Sequence, residues 1–382
     1  MKRIRIIGVI SLLQLLGFSS CVYPYEAAGV ESVEPMLVVE GDIIANDITH
    51  ITLSLSTPLG QSFYPTVSHA LVYVEDEQQG RYQAIETAPG HYEAPTQNLN
   101  LDLRYRLYIE LNDQRKYASD YVPVCVSPPI DSVGYTVLNA DRTALDFHVS
   151  THDPGGNSRY YKWEYIEDWE IHVPYFSVLS FSMEDLQYHP RPYEENIYYC
   201  WNKGASSSIL LGNSSRLLED VVTKAPLLRI WMHDTRNSPL YCIQVTQKVL
   251  TQEAYVYWET LRKNSEDMGG IFSNQPSELR GNIYALDNAD EIVLGYVSAS
   301  TVSQTGKLFF SPDDVIKKRL TECEEPRRAA PSNIDWAITF HQQSYIPIGY
   351  EGNNVVWMLY LCVDCRNYGT KDRPSWWPND HI

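Results

Sequence analysis

The chain has 382 residues, a formal net charge of −18 and an apolar fraction of 44%. A body this acidic repels phosphate backbones, which argues against a nucleic-acid partner. The same repulsion from anionic headgroups leaves covalent lipid as the means of holding the protein at a membrane.

Residues 1–20 read as a signal peptide. Lys2, Arg3 and Arg5 precede an apolar run from Ile6 to Phe18 and the small pair Ser19-Ser20. That run is about 13 residues, too short for the roughly 20 that a permanent membrane helix needs. A cysteine directly after small residues is what lipoprotein signal peptidase accepts, so Cys21 is the expected lipidation site and the first residue of the mature chain. Phe18 stands where a lipobox more often has Leu. Removing the three leader cations takes the net charge from −18 to −21. Residues 21–35, with Pro24 and Pro35 and no apolar periodicity, are expected to form a lipidated tether.

From residue 36 the apolar period becomes two. Ile51, Leu53 and Leu55 alternate with Thr52, Ser54 and Ser56; Leu71–Val74 follows; Tyr105, Leu107, Ile109 and Leu111 alternate with polar or amphipathic neighbours. Half-buried strands separated by Pro89-Gly90 and Asn112-Asp113 predict an immunoglobulin-like β-sandwich over residues 36–125. Pro128-Pro129 marks a boundary, because consecutive prolines cannot join a central strand. A second β-rich domain is expected over 129–382. Its strands include Leu145–Val149, Tyr161–Tyr165, Leu227–Met232, Tyr241–Val249, Asn282–Leu286, Ile292–Val302, Lys307–Phe310 and Val355–Leu361. One helix is predicted over 251–263, with Thr251 as N-cap and Ala254, Trp258 and Leu261 on one face. The fold class is therefore mainly β, with a disulfide-bearing C-terminal region.

Besides Cys21 the chain carries Cys125, Cys200, Cys242, Cys323, Cys362 and Cys365. An even set in an exported chain predicts three disulfides among fifteen possible connectivities. A Cys200–Cys242 bridge would close about 42 residues and contribute about 4 kcal/mol. Cys362-x-x-Cys365 has thiol-oxidoreductase spacing, but Arg366–Thr370 reads as a turn where such enzymes place a helix, so structural bridges fit better. No second CxxC exists to complete a zinc ribbon.

Catalytic and metal-binding signatures are lacking. His148 and His152 would share a helix face, but the alternation around them describes a strand. Asp153, Glu164, Glu167, Asp168 and Glu170 are numerous enough to yield a glycosidase-like carboxylate pair by chance. No nucleophile elbow, Walker or dinucleotide motif occurs. We expect no catalytic residue, metal or cofactor. Aromatics are plentiful, with 28 Tyr and 9 Trp. Trp163 fits a sandwich core, whereas Trp376 and Trp377 in the Pro-flanked tail are candidate ligand-contact residues or anchors of the tail to its own domain.

Four strings carry a resemblance. Leu37–Ile43 (LVVEGDI), Gln247–Trp258 (QKVLTQEAYVYW), Pro276–Ile283 (PSELRGNI) with Leu294-Gly295-Tyr296, and Cys362–Arg366 with Gly369 and Pro374–Trp377 resemble, in this order, a Bacteroidota lipoprotein family catalogued as domain of unknown function 4249. The resemblance implies an outer-membrane lipoprotein encoded near TonB-dependent transporters, and carries no catalytic residues. The expected function is a non-enzymatic binding or accessory subunit of such a transport system, lipid-anchored on the outer membrane. The ligand and the face of the membrane stay open. A periplasmic enzyme, through the CxxC or an unrecognised hydrolase site, and a surface adhesin are the alternatives.

Overall fold

A computed structural model describes residues 35–58, 63–266, 279–316, 323 and 326–378. The leader, Cys21 and the tether up to residue 34 lie outside the described residues, as do Gly269-Gly270 and Pro276–Glu278. Leu37–Ile382 forms one compact unit.

Its first layer pair is the immunoglobulin-like sandwich. One sheet has the order Leu37–Glu40, Thr49–Leu55, His91–Ala94, Ile85–Ala88. The facing sheet runs Arg81–Gln83, Leu71–Asp76, Arg104–Glu110, with Lys116–Ser119 and Val122–Cys125 sharing the far side of Arg104–Glu110. These orders correspond to A-B-E-D and C′-C-F-G of an immunoglobulin domain. Alternation does what the sequence predicts: Ile51, Leu53, Leu107 and Ile109 turn inward and are buried. Tyr105, at the start of its strand, donates from Oη to the Asn100 carbonyl at 3.0 Å, the tyrosine corner of Greek-key sandwiches.

The sandwich does not end at residue 125. Ile283–Ala285 pairs with Lys116–Ser119, and Ala299–Ser300 lies parallel between Ile43–Ile44 and Val122–Cys125. Ile283, Ala285, Val293, Val297 and Ala299 complete the first core. The expected second domain is thus interrupted: about 20 residues leave it, finish the first sandwich and return. Local periodicity assigned these strands but not their partners, because strand pairing at such separation is a tertiary property.

A second sandwich packs the sheet Ile130–Leu138, Ala144–His152, Val221–Trp231 against a larger sheet. In the latter, Tyr160–His172 lies between Tyr199–Ala205 and Tyr241–Val249, with Leu210–Asn213, Val302–Gln304 and Leu308–Phe310 alongside. Trp163 is 1% exposed and its indole donates to Gln247 Oε1 at 2.9 Å, as a core tryptophan requires.

The predicted helix spans Gln252–Glu266, and Thr251 Oγ1 caps it by accepting from Ala254 N. A second helix, Ile334–Gln342, escaped the sequence reading because it is nine residues long and begins at Asn333, whose side chain accepts from Trp336 N. It covers a small sheet of Arg327–Ala329, Asn354–Leu359 and Tyr345–Glu351. Trp357, fully buried there, meets Phe181, Tyr188 and Phe340 ring to ring. Among the described residues no helix is long and apolar enough to cross a membrane.

Candidate functional site

The cysteines do not pair as expected. Cys200 joins Cys365 and Cys323 joins Cys362, while Cys125 and Cys242 are thiols. The Cys200–Cys242 expectation fails for a geometric reason. Both cysteines flank the same central strand, Cys200 opposite Ile171 and Cys242 opposite Asp168. Their strands are two inter-strand spacings apart, roughly 9–10 Å, and the odd offset of 168 from 171 sends the two side chains to opposite faces. Sequence spacing contains neither fact. The CxxC is split between two partners, and a 3-10 turn, Cys365–Asn367, follows it. The two cysteines of the motif therefore do not bond to one another.

Of the two readings for Trp377, ligand contact and tail anchor, burial leaves the anchor. It is 2% exposed, and its Nε1 donates to the fully buried Glu170 at 2.9 Å, with His172 on the other carboxylate oxygen. The tail is anchored to its own domain. Trp376 is 38% exposed, beneath the Lys307 ammonium at 4.4 Å from the ring centroid.

Nor do the acidic candidates assemble. Asp153 accepts from Gly155 N and Asn157 N in a turn, Glu167 binds Tyr241 Oη and Arg236, and Glu170 holds Trp377. His148 and His152 do lie on a strand, and His152 pairs with Asp131. Among the described residues no group of three or more His, Cys, Asp or Glu is placed to hold a metal ion.

What sequence reasoning missed is a charge cluster at the seam of the two sandwiches. Lys162 and Lys248 sit directly opposite one another on adjacent strands. Facing like charges destabilise a sheet unless something neutralises them. Glu164, two residues along the same face, does so in part, at 3.2 Å from both Lys162 Nζ and Lys248 Nζ. Asp42 completes the cluster from the first sandwich, 3.1 Å from Lys248 and 3.8 Å from Lys162. Asp42 Oδ1 also accepts from Ser298 N at 3.4 Å.

Asp42 and Lys162 are buried, Lys248 is half-buried, and Glu164 reaches solvent. Burial alone would raise the Asp42 and Glu164 pKa values, but Lys248 and Lys162 outweigh it and hold both below the ordinary carboxylate range. Desolvation works to lower the Lys248 pKa; Asp42 and Glu164 overcome it and raise the value. The cluster thus sets two lysines against two carboxylates. Lys162 Nζ also lies 3.8 Å from the Trp258 ring centroid, a cation–π contact from the helix above.

Backbone close approach fixes this seam. Leu294 hydrogen-bonds Leu37 and Val39 through its N–H and carbonyl. A Cβ on Gly295 (φ +131°) would lie 2.1 Å from the Val39 carbonyl oxygen, and one on Gly281 would lie 1.6 Å from that of Gly295. Asn282 clamps the loop by donating to Val297 O and accepting from Val297 N, both at 2.8 Å. Three of the four sequence strings thus converge here, and their glycines are explained by backbone contact.

Over the cluster opens a cleft of about 790 Å³, within the span of small-ligand sites. Its walls are Glu40, Asp42 and His50 from the first sandwich, Lys162, Glu164 and Lys248 from the second, and the rings of Tyr257, Trp258 and Tyr296. Lys162, Glu164 and Trp258 also line an adjoining cleft of about 610 Å³. The Trp258 Nε1 is buried without an acceptor among the described residues. One signal in the sequence pointed here: in Tyr161-Lys162-Trp163-Glu164-Tyr165 the aromatic face is core, so both charges must share the other.

Comparison with known proteins adds a family. The sequence matches, over residues 22–306, the family model described as Domain of unknown function (DUF4249). The match takes in the seam and stops short of Cys323, Cys362, Cys365 and the tail tryptophans. No curated protein matches the chain. Among solved structures it is similar to the Yersinia pseudotuberculosis adhesin InvE, at 11% identity over 84% of this chain and 73% of that one, with a TM-score of 0.13. It is also similar to the BSP domain of a biofilm associated protein, at 6% identity over 77% and 62%, with a TM-score of 0.12. These likenesses do not extend to the arrangement of the elements.

Proposed function

This chain belongs to the family of domain of unknown function 4249, and from that premise we propose that it is a bacterial outer-membrane lipoprotein, a binding or accessory subunit beside a TonB-dependent transporter. Cys21 carries the lipid, residues 22–35 span the distance from the bilayer, and the double sandwich presents the seam cleft. The observation that carries the reading is that cleft, a concave site of about 790 Å³ with convergent polar groups and three aromatic rings. Two further features support it. The leader ends in the small-residue and cysteine pattern of lipoprotein export, and two disulfides suit an oxidising compartment.

The test has two parts. Labelled palmitate enters the wild-type chain but not the Cys21→Ser variant, which leaves the membrane fraction. The tagged, lipidated protein recovers a TonB-dependent transporter from detergent-solubilised outer membrane. Labelling that survives Cys21→Ser, or recovery of no transporter under several growth conditions, defeats the proposal.

A further inference from the structure

We propose that Phe63 and Tyr64 rest in the headgroup interface of the bilayer that holds the Cys21 lipid, so that the first sandwich stands between that surface and the second sandwich. This goes beyond the accessory-subunit reading and rests on its lipidated Cys21.

Sheet register places the two rings. The tether joins the body at Leu37, which pairs with Leu55. Ser54 has Val38 as its partner on one side and Thr66 on the other, and Leu55 N donates to the Pro65 carbonyl at 2.8 Å. Leu37 and Pro65 therefore flank Leu55, two inter-strand spacings or roughly 9–10 Å apart. The second sandwich is joined at the opposite end of these strands, where Cys125 and Ile44 flank Ser300 and Asp42 meets Lys248. Phe63-Tyr64 thus lies at the end of the first sandwich where the tether attaches.

Phe63 is 74% exposed and Tyr64 63%. They are the two most exposed aromatic side chains among the described residues, and they are adjacent. The base beneath them is fixed. Val67 N donates to Leu53 O at 2.9 Å, and Tyr92 Oη accepts from Ala70 N at 3.0 Å and donates to Val67 O at 2.9 Å. A Cβ on Gly90 (φ +77°) would lie 2.7 Å from Thr66 Cβ, so the turn below is packed against the loop. Two large rings held in water on a rigid base are unfavourable until an apolar neighbour takes them up.

Size and charge choose that neighbour. A stable protein interface buries about 800 Å² on each side, whereas two aromatic side chains supply at most roughly 300–500 Å². A bilayer asks for less, because the tether supplies the encounter. Residues 21 to 35 span 14 peptide links, at most about 50 Å, which keeps the body at a high effective concentration over the surface. Aromatic rings settle at the headgroup level of a bilayer. The acidic chain is repelled by anionic headgroups, so a contact made through rings alone suits a zwitterionic surface. Glu86, beside the loop, does not oppose it, since its carboxylate already accepts from His69 N and Gly90 N.

The full mature chain provides the test. Lipidated protein labelled with the environment-sensitive dye NBD through Phe63→Cys is placed in phosphatidylcholine vesicles, beside protein labelled through Leu218→Cys, a wholly exposed site on the second sandwich. Dye at position 63 should shift to the blue and be quenched by headgroup spin-labelled lipid, and dye at 218 should do neither. Separately, the unlipidated Cys21→Ser chain should float weakly with phosphatidylcholine vesicles, and Phe63→Ser combined with Tyr64→Ser should reduce that partition about tenfold. Phosphatidylglycerol should not strengthen it. Equal dye spectra at the two sites, a partition unchanged in a double variant that melts like the parent, or binding that rises with phosphatidylglycerol overturns the proposal. The flotation needs no acylated Cys21, and palmitate labelling and transporter recovery need neither ring, so failure here is distinguishable from failure of the accessory-subunit reading.

Discussion

Asp42 and Lys248, 206 residues apart in sequence, meet at 3.1 Å and tie the first sandwich to the second. Asp42 is the only described carboxylate that the first sandwich contributes to this cluster, so removing its charge leaves two facing lysines with Glu164 alone. Asp42→Asn should lower the unfolding free energy by about 3–5 kcal/mol. A urea titration checks this, and a loss under about 1 kcal/mol would mean that solvent screens the cluster.

The same pair sets a pH dependence. The folded Asp42 and Glu164 pKa values lie below the unfolded ones, so the unfolded chain binds protons more readily. Their stabilisation is fully present above the ordinary values of 3.8 and 4.5 and is lost as pH falls through the depressed ones. For Lys248 the folded value is raised, so its contribution persists below the ordinary 10.5 and declines only above it. Urea midpoints measured from about pH 7 to about pH 3 should fall, and Asp42→Asn should flatten that fall. Equal slopes in parent and variant would remove Asp42 from the account.

Peptide mapping without reduction should recover Cys200 with Cys365 and Cys323 with Cys362. By the chain-entropy relation, bridges spanning 165 and 39 residues contribute about 5 and about 4 kcal/mol. Cys365→Ala should therefore cost at least as much as Cys323→Ala in a thermal melt. The Cys125 and Cys242 thiols are pushed up to about 11 by burial. Iodoacetamide at neutral pH should spare both in the native body and label both in urea. Rapid native labelling of Cys242 would contradict its burial.

Gly281→Ala and Gly295→Ala should each cost more than about 3 kcal/mol, because the clashing atoms are backbone carbonyls that cannot swing away. Gly306→Ala, with nothing within 4 Å of the new methyl, should stay within about 0.5 kcal/mol of the parent. Melting curves of the three variants compare them directly. An equal effect at all three positions would mean that the seam tolerates separation.

Tail anchoring separates two neighbouring tryptophans. Trp377→Ala empties a buried site and removes a donor from Glu170, at a cost of about 3–5 kcal/mol. Trp376→Ala should cost about 1 kcal/mol or less, its ring lying under the Lys307 ammonium at the surface. Denaturant midpoints that rank the two in the reverse order would overturn the assignment.

Periodicity by itself determined the β class, most strand positions, the helix and its Thr251 cap, and the core role of Trp163, because each is a local consequence of side chains alternating across a pleat or repeating along a helix. Tertiary structure alone decided the rest. Which cysteines bond depended on Cys200 and Cys242 flanking one strand and facing opposite ways. Whether Trp377 was free depended on the buried Glu170 that receives it. The return of Ile283–Ser300 to the first core, and the meeting of Asp42 with Lys162 and Lys248, are contacts between segments more than 100 residues apart. No local pattern encodes them, since strand register and sheet neighbours are chosen by the packing of the whole body.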